Sequence, residues 1–354
     1  MSRFFSEKFA SLVPYTPGEQ PRDMQYVKLN TNESPFPPCS AAVKAAAEAA
    51  ERLRLYPDPD ARELTALLAK TLDVEPENIV VNNGSDETLY FAFQAWCDEK
   101  TPAAFADITY GFYPVFARQT GVPWEIVPLK DDFSLDIRDY FGLGKTIFIA
   151  NPNAPTGRAL TRTEVRQVLE NNRENVVIVD EAYVDFGAES CVPLVKEYDN
   201  LLVVQTFSKS RSMAGARLGF GVGAKDLIRD LHTIRYSTNP YNVNAMTLAA
   251  GLGTLQCPEY TAENCRKIRE NRAWTVQQLR DMGFTMTDSL ANFIFVKHPA
   301  LPGGELYRRL KEKGVLVRHF DKDKIRDYIR VTIGSMEQME VFVEKVRDIL
   351  EDAT

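Results

Sequence analysis

With 354 residues, 44% apolar and 26% charged, the chain has material for about two domains and a sizeable buried core, which excludes a small stapled scaffold. A formal net charge of −7 argues against a general nucleic-acid binder while leaving room for a local basic pocket. Five scattered cysteines, odd in number and without a CxxC pair, give neither a disulfide framework nor a zinc knuckle and suit a reducing cytoplasm.

The N-terminus, MSRFFSEKFASLVPYTPGEQ, mixes charges into its apolar residues and lacks the continuous apolar stretch of a signal peptide. Residues 1–28 show little periodicity and are expected to pack on a small unit or on a partner subunit. SAAVKAAAEAAERLRLY has high helix propensity, and DARELTALLAKTL reads as a helix with Asp60 as N-cap and Glu63 completing the box. Apolar runs then alternate with helix-length segments: IVV at 79–81, PAAFA at 102–106, WEIVP at 124–128, TIFIA at 146–150, VVIVD at 176–180, LLVVQ at 201–205 and LGFGVG at 218–223. Seven runs spaced in this way predict an α/β fold with a large, doubly wound, mostly parallel seven-stranded sheet domain over residues 29–240. Residues 236–258 carry no charge, but Asn239, Pro240, Asn242 and Asn244 make them too polar to span a bilayer, so they are expected to line a pocket. After a long helical segment around 259–282, NFIFVK, GVLVR and YIRVTIG read as short strands, with a closing helix from 336. Residues 241–354 are therefore expected to form a smaller α+β C-terminal domain, joined by the N-terminal arm 1–28.

In open α/β sheets ligands sit beyond the carboxyl ends of the strands, so the residues after each run matter most. After 79–81 comes NNGSDETLYFAF, a glycine turn into a helix whose first N–H groups, at Ser85, Asp86 and Glu87, either cradle a phosphate or form an ordinary cap. DITYGFYP offers Tyr110 as an aromatic plate or a packing residue, and NPNAPTG is a loop of turn formers and side-chain amides. Asp180 closes the 176–180 run three residues before Tyr183, where it either caps the next turn or pairs with a ring nitrogen and keeps it protonated. In VVQTFSKSRSMAGARLGF, at 203–220, Lys209 precedes a small-residue segment that ends in Arg217. A lysine in a dry pocket loses basicity and becomes a nucleophile for a carbonyl, and a rigid arginine nearby can grip a phosphate. Each feature alone has a bland alternative. In succession at the strand ends of one sheet they match the set of groups that binds pyridoxal 5′-phosphate.

At this point the chain resembles the fold type I, pyridoxal-phosphate-dependent aminotransferases of class I/II. The resemblance runs through KLNTNESPF at 28–36, LYPDP at 55–59, NNGSDE at 82–87, TYGFYP at 109–114, NPNAPTG at 151–157, VDEAYVDF at 179–186, TFSKSRSMAGARLGF at 206–220 and IRVTIGS at 329–335. It implies that Lys209 holds the cofactor covalently, Asp180 pairs with its ring nitrogen, Tyr183 hydrogen-bonds its O3′ and Tyr110 stacks on the ring. Thr206, Ser208 and Arg217, with the amides of Ser85 and Asp86, would hold the cofactor phosphate, and Tyr56 would reach it from the other subunit of an obligate homodimer. The family carries an asparagine immediately before Pro-Thr-Gly, where this chain has Ala154. Asn153 is the nearest substitute, although neighbours in an extended loop point to opposite sides. The implied activity is transfer of the amino group of histidinol phosphate to 2-oxoglutarate in histidine biosynthesis. An aromatic or broad-specificity aminotransferase is the alternative, followed by a threonine-phosphate decarboxylase, whose HGGN-type signature is not seen. Substrate choice is expected to rest on Arg330, Arg318 and Tyr15: Arg330 lies in an otherwise apolar strand, where an unpaired charge is costly and an anion hole is the economical explanation. His232, His298 and His319 lack metal-ligand spacing, and no metal, nucleic acid or membrane partner is expected.

Overall fold

In the computed structural model, which describes residues 2–10 and 12–352, a short strand β1 (Val27–Lys28) leads into helices α1 (Ser40–Ala50) and α2 (Arg62–Leu72). The chain then alternates through β2 (Ile79–Asn82), α3 (Gly84–Trp96), β3 (Ala103–Ala106), α4 (Tyr113–Thr120), β4 (Trp124–Val127), β5 (Thr146–Ala150), α5 (Arg162–Glu170), β6 (Val177–Asp180), β7 (Leu201–Thr206) and β8 (Gly219–Gly223). Helices α6 (Lys225–Thr238), α7 (Ala245–Leu255) and α8 (Pro258–Asp281) follow, then β9 (Thr285–Met286), β10 (Phe293–Lys297), α9 (Gly303–Glu312), β11 (Val315–Leu316), β12 (Arg318–His319), β13 (Ile329–Thr332) and α10 (Met336–Glu351).

All seven apolar runs become strands of one sheet, in the order β2-β8-β7-β6-β5-β3-β4. Only β8 runs antiparallel, against both β2 and β7. Every residue of β6 and β7 is buried, because helices cover both faces of the sheet. Alternate side chains serve opposite cores. Val81, Ile149, Val179 and Val203 pack with Leu64, Leu68, Val165 and Leu169 of α2 and α5, whereas Val80, Phe148, Ile178 and Leu202 pack with Phe91 and Phe93 of α3 and Leu231 of α6.

The smaller unit is an antiparallel sheet, β12-β13-β10-β9, covered by α8, α9 and α10. Its core joins Ile294, Val296 and Val331 to Ile268, Leu306, Phe342 and Val346. The N-terminal arm packs on this unit: β1 pairs in parallel with β11, and the Glu19 carboxylate accepts from Tyr307 and Lys311 of α9. No helix among the described residues is long and apolar enough to cross a membrane.

Three local expectations change. The large unit does not end at 240, since Val243 and Ala250 belong to the same core as Leu64 and the change of unit falls at α8. Within the uncharged run 236–258, residues 245–255 form helix α7 packed on α1 and α2, so the missing charges of that part reflect helix-on-helix burial. Helix α2 starts at Arg62, after Ala61 in a left-handed conformation; the Asp58 carboxylate accepts the Arg62 N–H at 3.0 Å, while Asp60 accepts from the Tyr236 hydroxyl.

Helices α1 and α7 touch at Gly253, where a Cβ would stand 2.6 Å from the Ala41 carbonyl oxygen. Gly→Ala inside a helix is favourable by about 1 kcal/mol in isolation, but forcing two backbones apart costs about 1–3 kcal/mol, so the clash wins. Gly253→Ala is expected to lower unfolding free energy by up to about 2 kcal/mol in urea denaturation, despite its better helix propensity.

Candidate active site

A cavity of about 700 Å³ opens where the carboxyl ends of the large sheet's strands face the small unit. Its wall contains Ser85, Asp86, Tyr110, Asp180, Tyr183, Thr206, Ser208, Lys209 and Arg217 from the large unit, Arg318 and Arg330 from the small unit, and Tyr15 from the arm.

One end is built around the start of α3. Gly84 turns into the helix at φ +78°, where a Cβ would meet the Arg217 guanidinium at 2.7 Å. Gly219, at the start of β8, allows an equally close approach, since its Cβ would lie 2.4 Å from the Ser85 backbone nitrogen. These two glycines leave the first amides of α3 bare beside Arg217, Thr206 and Ser208, where the partial positive charge of a helix N-terminus favours an anion. The Thr206 and Ser208 hydroxyls are 2.9 Å apart, and Thr206 Oγ1 also accepts the Ser208 N–H at 3.0 Å. Arg217 donates to Asp86 Oδ2 at 3.0 Å, and Asp86 Oδ1 accepts the Tyr110 hydroxyl at 2.6 Å. The Asp86 side chain therefore fixes both neighbours, a role that its backbone amide alone did not suggest.

At the other end Asp180, 5% exposed, accepts from the Tyr113 hydroxyl at 3.0 Å and from the Ala182 N–H at 3.2 Å. Burial pushes its carboxyl up to about 6 despite these donors. Such a carboxylate is best stabilised by a cationic partner in the cavity. The Tyr183 hydroxyl accepts from Asn32 Nδ2 at 3.0 Å, and its ring meets Phe293 edge-on at 5.0 Å. Lys209 Nζ lies 5.8 Å from the Tyr183 ring centroid and donates to the Thr31 carbonyl at 3.2 Å. Burial, helped by the positive charge of Arg330, pushes its amine down to about 8. Near neutrality an appreciable share of Lys209 is then the free base, which an ordinary exposed lysine is not.

Arg330 leaves β13 with one N–H donated to the Asn30 carbonyl at 3.0 Å, its guanidinium 5.4 Å from the Phe293 ring centroid and 5.6 Å from that of Phe320. Its Nε is buried with no hydrogen-bond partner, the mark of a cation awaiting an anion. Arg318 lines the cavity but donates to the carbonyls of Thr16 and Pro17 at 2.9 and 3.1 Å, fastening the arm. Tyr15, on that arm, stacks on Phe112 at 4.3 Å.

One expected residue, Asn153, is not brought in, and Tyr56, expected to act from the other subunit, stands outside the cavity of its own chain. Asn153 turns away from this cavity: its amide donates to the Ile108 carbonyl at 2.9 Å and to Thr156 at 3.0 Å, and it lines a separate space of about 210 Å³. Adjacent residues point to opposite sides, so Ala154 takes the inner position and offers only a methyl group. Tyr56 is 80% exposed and stacks on Tyr241 at 4.5 Å, outside the cavity of its own chain. Asn32 and Tyr113 were not singled out in the sequence, although KLNTNESPF and TYGFYP contain them.

A family model described as aminotransferase class I and II matches residues 24–346. A histidinol-phosphate aminotransferase of Brachyspira hyodysenteriae is 47% identical over 354 residues, covering 99% of this chain and all of that protein. A second, from Bradyrhizobium diazoefficiens, is 46% identical over 350 residues, with 99% of this chain and 100% of that protein covered. In fold, the chain superposes on the Sinorhizobium meliloti histidinol-phosphate aminotransferase crystallised with pyridoxal 5′-phosphate, with a TM-score of 0.81 at 21% identity, covering 92% of each chain.

The Lys209 environment is open to direct measurement. In the apoprotein, condensation of a small aldehyde with Lys209 is expected to accelerate with pH to a midpoint of about 8, because the nucleophile is the neutral amine. Arg330→Met removes a positive charge and moves this midpoint upward, a shift readable from the pH dependence of the rate.

Proposed function

The chain belongs to the class I and II aminotransferase family, and from that membership we propose that the cavity holds pyridoxal 5′-phosphate and moves the amino group of histidinol phosphate to 2-oxoglutarate, as in histidine biosynthesis. The observation that carries this reading is an amine pushed down to about 8, Lys209, set between a bare helix N-terminus and a buried carboxylate.

The residues fit the group end to end. The Ser85 and Asp86 amides, Arg217, Thr206 and Ser208 take its phosphate, in a cradle that a Cβ at position 219 would fill. Asp180 faces its ring nitrogen, where the pairing of carboxylate with pyridinium offsets the burial that drives the Asp180 pKa up. Tyr110 supplies the plate beside the ring and Tyr183 a hydroxyl for O3′. When bound, pyridoxal phosphate supplies the electron sink for charge released at the substrate carbon that bears the amine. Lys209 Nζ takes up the proton of that carbon, a task suited to an amine of which an appreciable share is uncharged near neutrality. Arg330 and Tyr15 orient the substrate by its far end, and an arginine fork accepts the phosphate of one substrate and the carboxylate of the other in turn.

A cytoplasmic homodimer with shared sites completes the reading. The five cysteines are free thiols, and Val43, Leu53, Leu55, Tyr56, Tyr241 and Met246 leave large apolar side chains exposed around α1 and the start of α7. A second copy of the chain would cover them and bring Tyr56 to the other subunit's phosphate cradle.

Titrating the protein loaded with pyridoxal phosphate tests the activity. Histidinol phosphate is expected to bleach the visible band and 2-oxoglutarate to restore it, with no band in Lys209→Ala and about a hundredfold loss of kcat/KM in Arg330→Met. A response to phenylalanine alone would sink the substrate assignment and keep the chemistry, while carbon dioxide from phosphothreonine would make the protein a decarboxylase. For the assembly, sedimentation is expected to give a dimer, and Tyr56→Phe to weaken pyridoxal phosphate binding about tenfold in equilibrium dialysis.

A further inference from the structure

Asn32 holds a backbone conformation that few L residues tolerate, φ +57°, and is 1% exposed. Four hydrogen bonds keep it there. Its N–H donates to Thr332 Oγ1 at 2.9 Å, the Thr332 hydroxyl donates back to Asn32 Oδ1 at 3.0 Å, Asn292 Nδ2 donates to its carbonyl at 3.0 Å, and its own Nδ2 donates to the Tyr183 hydroxyl at 3.0 Å. Thr332 and Asn292 belong to the small unit, whereas Tyr183 follows β6 of the large sheet.

The donor and acceptor roles are fixed by counting protons. Thr332 has one hydroxyl proton and already accepts from the Asn32 N–H. If the Asn32 amide were turned over, Thr332 would accept twice, and its proton would be stranded in a buried place. The arrangement that satisfies every group gives the Tyr183 oxygen a donor in Asn32. The single proton of Tyr183 is then left for the cavity, because no described residue accepts from it.

We propose that Asn32 is a positioning residue, anchored by the small unit, that makes the Tyr183 hydroxyl a hydrogen-bond donor to an anionic oxygen on the bound ring. This rests on the pyridoxal phosphate reading above, and extends it to a residue that touches neither lysine nor phosphate cradle. The charged groups around Tyr183 are Lys209, Arg330, Asp180 and Asp86, and all four stay in place when Asn32 is changed.

The test uses the loaded enzyme, the apoprotein and Asn32→Asp, which keeps the shape and the tolerance for positive φ but accepts where asparagine donates. Its carboxylate draws the Tyr183 proton away from the cavity, so the ring oxygen loses its donor. The protonated chromophore is then favoured, and the pH midpoint of the visible band is expected to rise by about one unit. kcat is expected to fall about tenfold, with KM for the amino donor within about twofold. Thr332→Val, which frees the Asn32 amide to rotate, shifts the midpoint in the same direction without adding a charge. Apoprotein melting within about 3 °C of the parent, together with a displaced midpoint, separates positioning from mere structural support. A normal band whose midpoint neither variant moves overturns this inference alone. A parent protein with no visible band overturns the cofactor reading, and the role of Asn32 with it.

Discussion

One short stretch, Leu29–Asn32, ties the molecule together, because each of its four successive carbonyls is held by a different group. Leu29 accepts the Thr332 N–H of the small sheet, Asn30 accepts Arg330, Thr31 accepts Lys209 and Asn32 accepts Asn292. A buried backbone carbonyl without a partner is costly, so the stretch cannot drift from any one of these groups without stranding another. The relative placement of the arginine on β13 and the lysine after β7 is thus set through main-chain atoms that no side-chain substitution removes.

The same burial acts on the two ionisable groups at the ring end in opposite directions. It raises Asp180 to about 6 and lowers Lys209 to about 8, favouring the neutral form of each. The neighbours differ, however. Asp180 has Tyr113 and a backbone N–H to hold its charge, while Lys209 has a carbonyl and an arginine that opposes it. A carboxylate that stays available and an amine that sheds its proton are the two states that the proposed chemistry uses.

Much of this was legible in the chain. The seven strands showed because a strand buried on both faces must be apolar throughout, and the cavity residues showed because they follow those strands directly. Asp180, Tyr183 and Lys209 come from such positions, while Arg217 precedes β8. What escaped notice depends on contacts that span the sequence. Asn32 matters through Thr332, three hundred positions away, and nothing in KLNTNESPF announces that partner. The uncharged run that includes α7 reads as a pocket lining, whereas Gly253 records the close contact of α7 with α1. That Asn153 and Ala154 face opposite ways is legible in the sequence, since alternation of side chains is a local rule. Asp60 does not cap α2, because Ala61, in a left-handed conformation, takes the cap position, which sequence alone does not reveal.

The roof of the cavity is made from the least regular part of the chain. Residues 13–18 belong to no helix or strand, yet Tyr15 rests on Phe112 of the large unit while Arg318 of the small unit holds Thr16 and Pro17. None of its side chains belongs to either core, so the strip escapes the packing demands that constrain β6 or α7, although Gly18 lies close against Thr31. A change at Tyr15 would therefore alter the lining of the cavity while Lys209 and Asp180, carried by the buried sheet, keep their places.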